Sequence, residues 1–333
     1  MQKKLVSGIK PTGDLTLGNY IGAIRNFIQL QDQYESYFFV ADLHALTTGT
    51  VDSAELRKGR KTIVALYLAC GLDPEKATIF YQSQVEAHAM MQWLCASETT
   101  VGELQRMTQY KDKASKLKQT NGTNKIPTNL LMYPTLMAGD ILLYNPDIVP
   151  IGEDQTQHLE LTRNIAERLN SKYNTLFTLP EGYVPKVGAR IKSLTDPTAK
   201  MSKSEHGTKS TIYLLENPQQ AYNKIMKAVT DSEGKVYISK DKPGILNLLN
   251  IYAALTDISV EAAAEKFKDA DYKQFKEAVA TEVKCLLENI QSKYNEALKI
   301  VDKITDDGAM KASYIANKNL NKVMKKMGLY FKK

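Results

Sequence analysis

The sequence predicts an α/β fold in which a parallel sheet is followed by an all-helical C-terminal part. Short apolar strands alternate with amphipathic helices over about the first 190 residues, a pattern typical of right-handed β–α–β crossovers. The remaining residues show almost only helical periodicity. The chain has 333 residues, of which 43% are hydrophobic and 24% charged. That composition allows about two domains and excludes a disordered chain or a small disulfide-stapled one.

The predicted alternation of strands and helices follows from apolar runs and their spacing. Strands are expected at residues 5–9, 37–41, 78–81 and 148–149. Helices are expected at residues 18–33, 54–70, 130–144 and 153–169. Strand 37–41 is apolar throughout, as strands buried on both faces are. Residues 110–128 are polar, rich in lysine and interrupted by Gly122 and Pro127, so we expect a mobile loop there.

The C-terminal part is predicted to consist of helices. They are expected at residues 218–229, 245–255, 260–267, 272–304 and 310–327. In the last one, Leu320, Val323, Met324 and Met327 repeat at helical spacing and form an apolar stripe. We therefore expect one domain at residues 1–190 and a second at 191–309. The last helix, within 310–333, is expected to pack back on the first domain.

The positive charge of the chain is concentrated at its end. Lysine and arginine number 44 and the acids 37, a net charge of +7. Residues 310–333 contain seven lysines and no acid, which accounts for the whole excess. A basic tail on a neutral body favours a polyanion such as nucleic acid as partner. The alternative is a solvated helix face without a partner.

Cysteine usage and hydropathy indicate a cytoplasmic protein without membrane contact. The three cysteines are Cys70, Cys95 and Cys285, with no C-x-x-C pair among them. This excludes a disulfide framework and a cysteine-based zinc site, and we expect buried free thiols. The first residues lack the apolar stretch of a signal peptide. The longest apolar run, residues 63–72, is far shorter than the ~18 residues of a membrane span.

The first motif that carries chemistry joins the first strand to the first helix. It consists of Gly8-Ile9-Lys10-Pro11-Thr12-Gly13, then Thr16-Leu17-Gly18-Asn19. Glycines let the backbone approach a ligand, and free N–H groups at a helix start favour an anion. Neither a Walker loop nor a dinucleotide fingerprint is present. The alternative is a tight strand–helix turn capped by Thr16 or Asn19.

The second motif is a polar loop with two lysines. It reads Lys200-Met201-Ser202-Lys203-Ser204 and follows Asp196-Pro197. Such a loop can act as a mobile cationic clamp that closes on a pyrophosphate as its charge develops. The alternative is a flexible surface linker.

Together, the two motifs resemble those of the class I aminoacyl-tRNA synthetases. Residues 16–19 stand where that class has its HIGH tetrapeptide, and the K-M-S-K-S match is complete. Residues 137–144, 148–155 and 158–163 closely resemble the bacterial tryptophanyl members. The resemblance covers about residues 7–255. It implies a Rossmann-type catalytic domain followed by a helical domain for anticodon recognition.

The resemblance also implies an activity and its partners. The family condenses L-tryptophan with Mg²⁺-ATP to tryptophanyl-adenylate and pyrophosphate, then transfers the amino acid to tRNA(Trp), and works as a homodimer. Such an in-line displacement needs positioning and charge stabilisation rather than a covalent intermediate. The sequence agrees, since it has no nucleophile elbow and no metal-ligand cluster. No metal held by protein ligands is therefore expected.

ATP-site residues follow by resemblance. Those implied to bind ATP are Lys10, Pro11, Thr12, Gly18, Asn19, Gly152, Glu153, Asp154, Ile191, Lys200, Met201, Ser202, Lys203 and Ser204. Those implied to act in catalysis are Thr16, Asn19, Lys113, Lys200 and Lys203. Glu153 and Asp154 would accept hydrogen bonds from the ribose hydroxyls, or cap a helix. Lys10 is a departure, since several members of the family have glutamine there.

For tryptophan, the resemblance points to Asp140. A buried indole N–H without an acceptor costs ~1–3 kcal/mol, and Asp140 lies one helical turn from Met137. The residues expected around the indole are Met137, Tyr133, Ile141, Val149 and Ile151, with Gln155 and His44 as polar edges. For the apolar members, ordinary core packing is the alternative.

Three other functions remain open from the sequence. A tyrosyl-tRNA synthetase would share the fold and the chemistry. A nucleotidyltransferase of the same superfamily would act without tRNA, against which the helical domain and basic tail argue. A catalytically silent nucleic-acid-binding module is disfavoured by the intact K-M-S-K-S segment.

Overall fold

The fold is a parallel sheet with helices on both faces, described by a computed structural model over residues 2–48, 51–121, 126–184, 191–201 and 209–329. The strands are β1 (Lys4–Ile9), β2 (Glu35–Val40), β3 (Ala77–Tyr81), β4 (Ile148–Pro150) and β5 (Glu181–Tyr183). The α-helices are α1 (Leu17–Asn19), α2 (Arg25–Leu30), α3 (Asp42–Ala45), α4 (Ser53–Cys70), α5 (Ala87–Ser97), α6 (Val101–Arg106), α7 (Thr108–Asn121), α8 (Thr128–Leu142), α9 (Thr156–Tyr173), α10 (Pro218–Met226), α11 (Pro243–Thr256), α12 (Val260–Lys266) and α13 (Tyr272–Lys326). The strand order is β3-β2-β1-β4-β5, with every pairing parallel. The predicted fold class is confirmed.

The sheet is buried on both faces because its central strands carry apolar side chains on both sides. Leu5 and Phe38 belong to the hydrophobic cluster on one face, and Val6 and Phe39 to the cluster on the other. Helices therefore cover both faces, as parallel sheets require. Strand β5 was not predicted because its three residues are exposed and carry no apolar pattern.

The last two predicted helices are a single one, so that part of the prediction is wrong. Helix α13 runs without a break over 55 residues. Its first half buries residues such as Phe275 and Leu287 in the cluster formed with the other C-terminal helices. Its second half buries Ala312 and Leu320 in the cluster on the opposite face of the sheet. At Gly308 the helix passes very close to β3, since a Cβ atom there would lie 1.9 Å from the backbone oxygen of Ile79.

The predicted loop at residues 110–128 is also wrong up to residue 121. Helix α7 covers Thr108–Asn121, although its polar sequence gives no clear apolar face. Its buried Ala114 packs with Leu130 and Tyr133 of α8, and tertiary contact of this kind stabilises a helix of weak amphipathicity. Residues 122–125 of the expected loop lie outside the described residues.

Two further expectations concern the cysteines and membranes. All three cysteines are free, but only Cys95 is fully buried, and Cys285 is exposed. Over the part of the chain that the structure describes, no helix combines the length and the apolar character that crossing a membrane requires.

We predict that Gly308→Ala destabilises the protein. A Cβ atom at this position would lie 1.9 Å from the backbone oxygen of Ile79 in β3, so α13 or the edge strand would have to move. Overpacking of this kind costs about 1–3 kcal/mol or more. The free energy of unfolding in urea measures the effect.

Gly102→Ala is the matched control. Gly102 lies on the exposed side of α6, where an added Cβ would meet only Arg106 Nη1, at 4.0 Å, beyond the backbone of its own helix. Alanine there should raise the free energy of unfolding by up to ~1 kcal/mol, since glycine is a poor helix former. Equal stabilities for Gly308→Ala and the wild type would show that α13 is not held tightly against β3.

Candidate functional site

The main cavity lies where the strand order of the sheet reverses. Going outward from β1, the chain turns one way to β2 and the other way to β4. A cavity of about 490 Å³ opens at this point, lined by Gly8 and Ile9 of β1 and by Val149 and Pro150 of β4. Parallel sheets bind ligands at such switch points, beyond the carboxyl ends of their strands.

Many of the predicted site residues line this cavity. They are Lys10, Thr12, Asn19, His44, Met137, Asp140, Ile141, Val149, Ile151, Gly152 and Gln155. Pro11 lines a neighbouring cavity between the first motif and α4. Ser202, Lys203 and Ser204 lie outside the described residues, as does the side chain of Glu153. The structure thus brings the two predicted ligand groups, for ATP and for tryptophan, into one cavity.

The turn of the first motif is held by a reciprocal cap. The Asn19 N–H donates to Thr16 Oγ1 at 3.2 Å, and the Thr16 N–H donates to Asn19 Oδ1 at 3.0 Å. Thr16 is buried, while Asn19 also lines the cavity. The cap that the sequence offered as an alternative is therefore present. A π-helical segment, Tyr20–Ile24, follows directly and lines the cavity with Gly22 and Ala23. Short π-helical segments often occur at functional sites.

The two sequence motifs meet beside the cavity. The Met201 N–H donates to the Ile191 oxygen at 3.0 Å. A Cβ atom on Gly18 would lie 3.7 Å from Ile191 Cβ and 3.9 Å from Met201 Cβ. The Leu17 N–H donates to the Ile212 oxygen at 2.9 Å. The chain on both sides of residues 202–208 is thereby anchored to the first turn of α1.

A crowded pair of lysines makes one side of the cavity electropositive. Burial, followed by the nearby Lys113, lowers the pKa of Lys10. Burial also lowers the pKa of Lys113, whose Nζ donates to Gln109 Oε1 at 3.2 Å. Lys113 lies on helix α7 rather than in the expected loop. Because these two partly desolvated cations repel each other, a bound polyanion would stabilise their charged forms.

Helix α7 also reaches the segment after β4. Gln109 Nε2 donates to the backbone oxygen of Asp154 at 3.1 Å and to its Oδ2 at 3.2 Å. The Asp154 side chain is exposed. The helix therefore connects the electropositive side of the cavity with the residues predicted to contact the ribose.

Two neutral histidines flank the aromatic ring of Tyr133. The His44 ring lies 5.1 Å from the Tyr133 ring in an edge-on arrangement, and His158 Nε2 lies 2.8 Å from the Tyr133 hydroxyl. Burial lowers the pKa of His44 to about 3, with Lys10 next in effect. Burial lowers the pKa of His158 to about 4. Both rings are uncharged at neutral pH.

The Asp140 carboxylate ends a buried hydrogen-bond network that the sequence did not reveal. Gln82 Nε2 donates to both carboxylate oxygens at 2.8 Å. His88 Nδ1 lies 2.6 Å from Asp140 Oδ1, and His88 Nε2 lies 2.9 Å from the Tyr144 hydroxyl. Gln82 directly follows β3, at the edge where ligands bind, and that position is a signal that could have identified it. His88 is a buried polar residue in a largely apolar helix.

The comparisons with known proteins agree with this geometry. The profile of the tRNA synthetases class I (W and Y) matches residues 2–288. The chain belongs to this family. It is 58% identical to a tryptophan–tRNA ligase of Mycoplasmopsis pulmonis over 328 residues, which is 98% of each chain.

Solved structures show the same relationship. The tryptophanyl-tRNA synthetase of Mycoplasma pneumoniae superposes with a TM-score of 0.92 at 39% identity, over 99% of both chains. The Campylobacter jejuni enzyme, solved in complex with ADP and tryptophan, superposes with a TM-score of 0.79 at 31% identity, covering 98% of this chain and 100% of that one. The similarity extends through the helical C-terminal part, beyond the range that the motifs covered.

We predict that acid destabilises the protein through His44 and His158. In the unfolded chain both pKa values lie near 6.5, so below that pH the unfolded state binds protons that the folded state does not. The free energy of unfolding then falls as the pH is lowered. From pH 7 to pH 5 the loss is roughly 2 kcal/mol for each histidine. Urea unfolding at the two pH values measures it.

The variant His44→Gln should lose about half of this pH dependence. It removes one of the two buried rings while leaving His158 in place. An unchanged difference between pH 7 and pH 5 would show that His44 is protonated in the folded protein, contrary to the depressed pKa.

Proposed function

We propose that this protein is an ATP-dependent tryptophan–tRNA ligase. A carboxylate oxygen of L-tryptophan attacks the α-phosphorus of ATP, the bond to the β-phosphate oxygen breaks, and pyrophosphate leaves. The terminal ribose hydroxyl of tRNA(Trp) then attacks the carbonyl of the tryptophanyl-adenylate and releases AMP. The observation that carries this proposal is the Asp140 carboxylate, which faces an otherwise largely apolar part of the cavity at the switch point.

Asp140 suits an indole because it can accept its N–H. The carboxylate is 4% exposed and lines the cavity with Met137 and Ile141 from the same helix, and with Val149 and Ile151 from the region of β4. The apolar side chains would enclose the ring, whose burial is favourable by about 25 cal/mol per Å². Gln155 and His44 also line the cavity and would meet the α-amino group, with the Tyr133 ring against His44.

The electropositive side of the cavity would hold ATP. Lys10, Thr12 and Asn19 line it directly, and Lys113 adds charge from α7. The remaining members of the proposed ATP site are Pro11, Gly18, Gly152, Glu153, Asp154, Ile191, Lys200, Met201, Ser202, Lys203 and Ser204. Thr16 would act through the cap that holds Asn19.

We propose that Mg²⁺ enters as the ATP complex, held by phosphate oxygens. Over the described part of the chain, no group of three or more His, Cys, Asp and Glu side chains is arranged to hold a metal ion. The lysines of the site would supply charge stabilisation to the leaving pyrophosphate.

We propose that tRNA is held partly by the end of α13. Lys318, Lys322 and Lys325 follow at spacings of four and three residues, so they share one face of the helix, and all are exposed. The opposite face carries Ala316, Leu320 and similar residues that pack on the catalytic part. This arrangement supports residues 1–190 as the catalytic domain, with the end of α13 packed back on it, and residues 191–309 as the anticodon-binding domain.

Tyrosine is the less suitable substrate. A phenol hydroxyl both donates and accepts, whereas the Asp140 carboxylate offers only acceptors to the cavity. Relatives at 50–58% identity are named for tryptophan.

We predict that pyrophosphate–ATP exchange depends on L-tryptophan when each of the twenty amino acids is tested. Charging of total tRNA should follow for tRNA(Trp) alone. Because charging uses contacts with the backbone phosphates of tRNA and exchange does not, charging should weaken much more steeply with salt. Exchange driven by tyrosine, or by no amino acid, would contradict the proposal.

The variant Asp140→Ala tests the site itself within the same assay. It should raise the KM for tryptophan by about 10-fold or more, since a hydrogen bond to a charged group is lost, while the KM for ATP changes little. Equal increases in both KM values would mean that Asp140 has a structural role only.

We propose that the protein is a homodimer through a patch formed by Met90 and Trp93 of α5 with Met310 and Tyr314 of α13. These side chains are 44%, 71%, 67% and 69% exposed. Each pair lies three or four residues apart on its helix, and the two helices pack against each other. Clustered apolar exposure of this kind favours a protein partner.

We predict that Trp93→Arg shifts the protein from dimer to monomer in light scattering after size exclusion. Trp93 is the single tryptophan, so dilution of the wild type should also shift its emission to the red. Leu176→Lys is the control, because Leu176 is 74% exposed but lies between α9 and β5. A monomeric wild type, or a dimer that keeps its mass in Trp93→Arg, would contradict this interface.

A further inference from the structure

Behind the cavity, four buried polar side chains form a chain that leads to Asp140. Tyr144, His88 and Gln82 have no exposed surface, and Asp140 is 4% exposed. Tyr144 contacts His88, and His88 and Gln82 both contact Asp140. None of the first three belongs to the proposed tryptophan or ATP residues. A buried network of this kind is costly unless each member is satisfied, which points to a purpose beyond packing.

The direction of the Gln82 amide is set by a backbone group. The His44 N–H, which can only donate, contacts Gln82 Oε1 at 3.2 Å. The amide oxygen is therefore on the His44 side, and the amide nitrogen faces Asp140. Gln82 donates to both carboxylate oxygens. The same residue thus connects the two parts of the cavity, His44 and Asp140.

The proton positions on His88 follow from its two neighbours. Burial, followed by the charge of Asp140, raises the pKa of Tyr144 well above its usual value, so the hydroxyl keeps its proton. Because the Asp140 carboxylate can only accept, His88 Nδ1, 2.6 Å from Oδ1, carries a proton. We assign the Tyr144 hydroxyl as the donor to His88 Nε2, 2.9 Å away. Every hydrogen in the chain then points toward the carboxylate.

The two oxygens of Asp140 are consequently not equivalent. Oδ1 accepts from His88 and from Gln82, whereas Oδ2 accepts from Gln82. An oxygen of a carboxylate can accept two hydrogen bonds. Oδ2 therefore keeps acceptor capacity for a donor in the cavity.

We propose that His88 is a positioning residue that holds Asp140 as an anionic acceptor with Oδ2 directed at the cavity, and so determines the preference for a ring that carries an N–H. This inference rests on the proposed use of tryptophan. Without the His88 donor, the carboxylate would lose one of the bonds that stabilise its anion in a buried site, and would be free to rotate or take up a proton. A protonated or rotated carboxyl group would discriminate poorly between a ring that carries an N–H and a ring that lacks one.

The test compares L-tryptophan with β-(3-benzothienyl)alanine, in which sulfur replaces the indole N–H. The ratio of kcat/KM values in pyrophosphate–ATP exchange measures the preference. For the wild type we expect a ratio of the order of 10². His88→Phe should lower the ratio about ten-fold through the KM for the amino acid, with the KM for ATP unchanged. His88→Asn, whose amide nitrogen replaces Nδ1, should restore most of the ratio.

Two variants separate this role from a merely structural one. Tyr144→Phe keeps the ring but removes the donor to Nε2, and should give an intermediate ratio. Met91→Leu changes a fully buried residue of the same helix that has no part in the network, and should leave the ratio at the wild-type value. A full wild-type ratio in His88→Phe, or a loss as large in Met91→Leu, would overturn the inference.

A measurement on the wild type does not depend on how the variants fold. Nitrogen-15 NMR of labelled histidine should show a protonated Nδ1 and an unprotonated Nε2 for one of the four histidines, assigned by its absence in His88→Asn. The opposite tautomer would overturn the proposed direction of the chain. A wild type without tryptophan-dependent exchange would instead refute the proposed function, and this inference with it.

Discussion

The buried carboxylate of Asp140 is the constraint on which the arrangement of the cavity depends. An ionised acid removed from water costs several kcal/mol unless donors replace the lost hydration. Gln82 and His88 supply them, and they come from the end of β3 and from α5. Their placement requires α5 to pack very closely on α8. Gly139, beside Asp140, permits it, because a Cβ there would lie 2.8 Å from the backbone nitrogen of Gln92.

The second constraint is the coupling of the two halves of the chain. Helix α13 passes from the hydrophobic cluster of the C-terminal helices to the cluster on the other face of the sheet. It also covers β3, an edge strand that would otherwise present unpaired backbone groups. Near the cavity, Leu15 and Leu17 exchange backbone hydrogen bonds with Ile212 and Leu214. The C-terminal half is thereby joined to the start of α1, where the two sequence motifs meet.

The two ends of the cavity differ in charge, which suits an adenylation reaction. One end is apolar except for an acceptor. The other contains Lys10 and Lys113, both with pKa values lowered by burial. His44 lies between these ends and is kept neutral. Charge develops on phosphate oxygens in such a displacement, and fixed cations in a partly desolvated site stabilise it more strongly than in water.

Local pattern alone determined strands β1 to β4, the site motifs and the family of this protein. Strands such as β1 and β2 and the turn that ends at Asn19 depend on residues that are neighbours in the chain. Asp140 is conspicuous because few folds require a carboxylate within an apolar helix. The sequence misjudged α7 and the continuity of α13, because both depend on distant partners. Ala114 of α7 packs with Leu130 and Tyr133, and the two halves of α13 pack in different hydrophobic clusters. The position of Gln82 after β3 could be noticed in the sequence, but the contacts of Gln82 and His88 with Asp140 could not, since these residues stand 58 and 52 positions from the carboxylate. Helix packing brings hydrogen-bond partners at such separations together, and no periodicity in the sequence indicates which residues will meet.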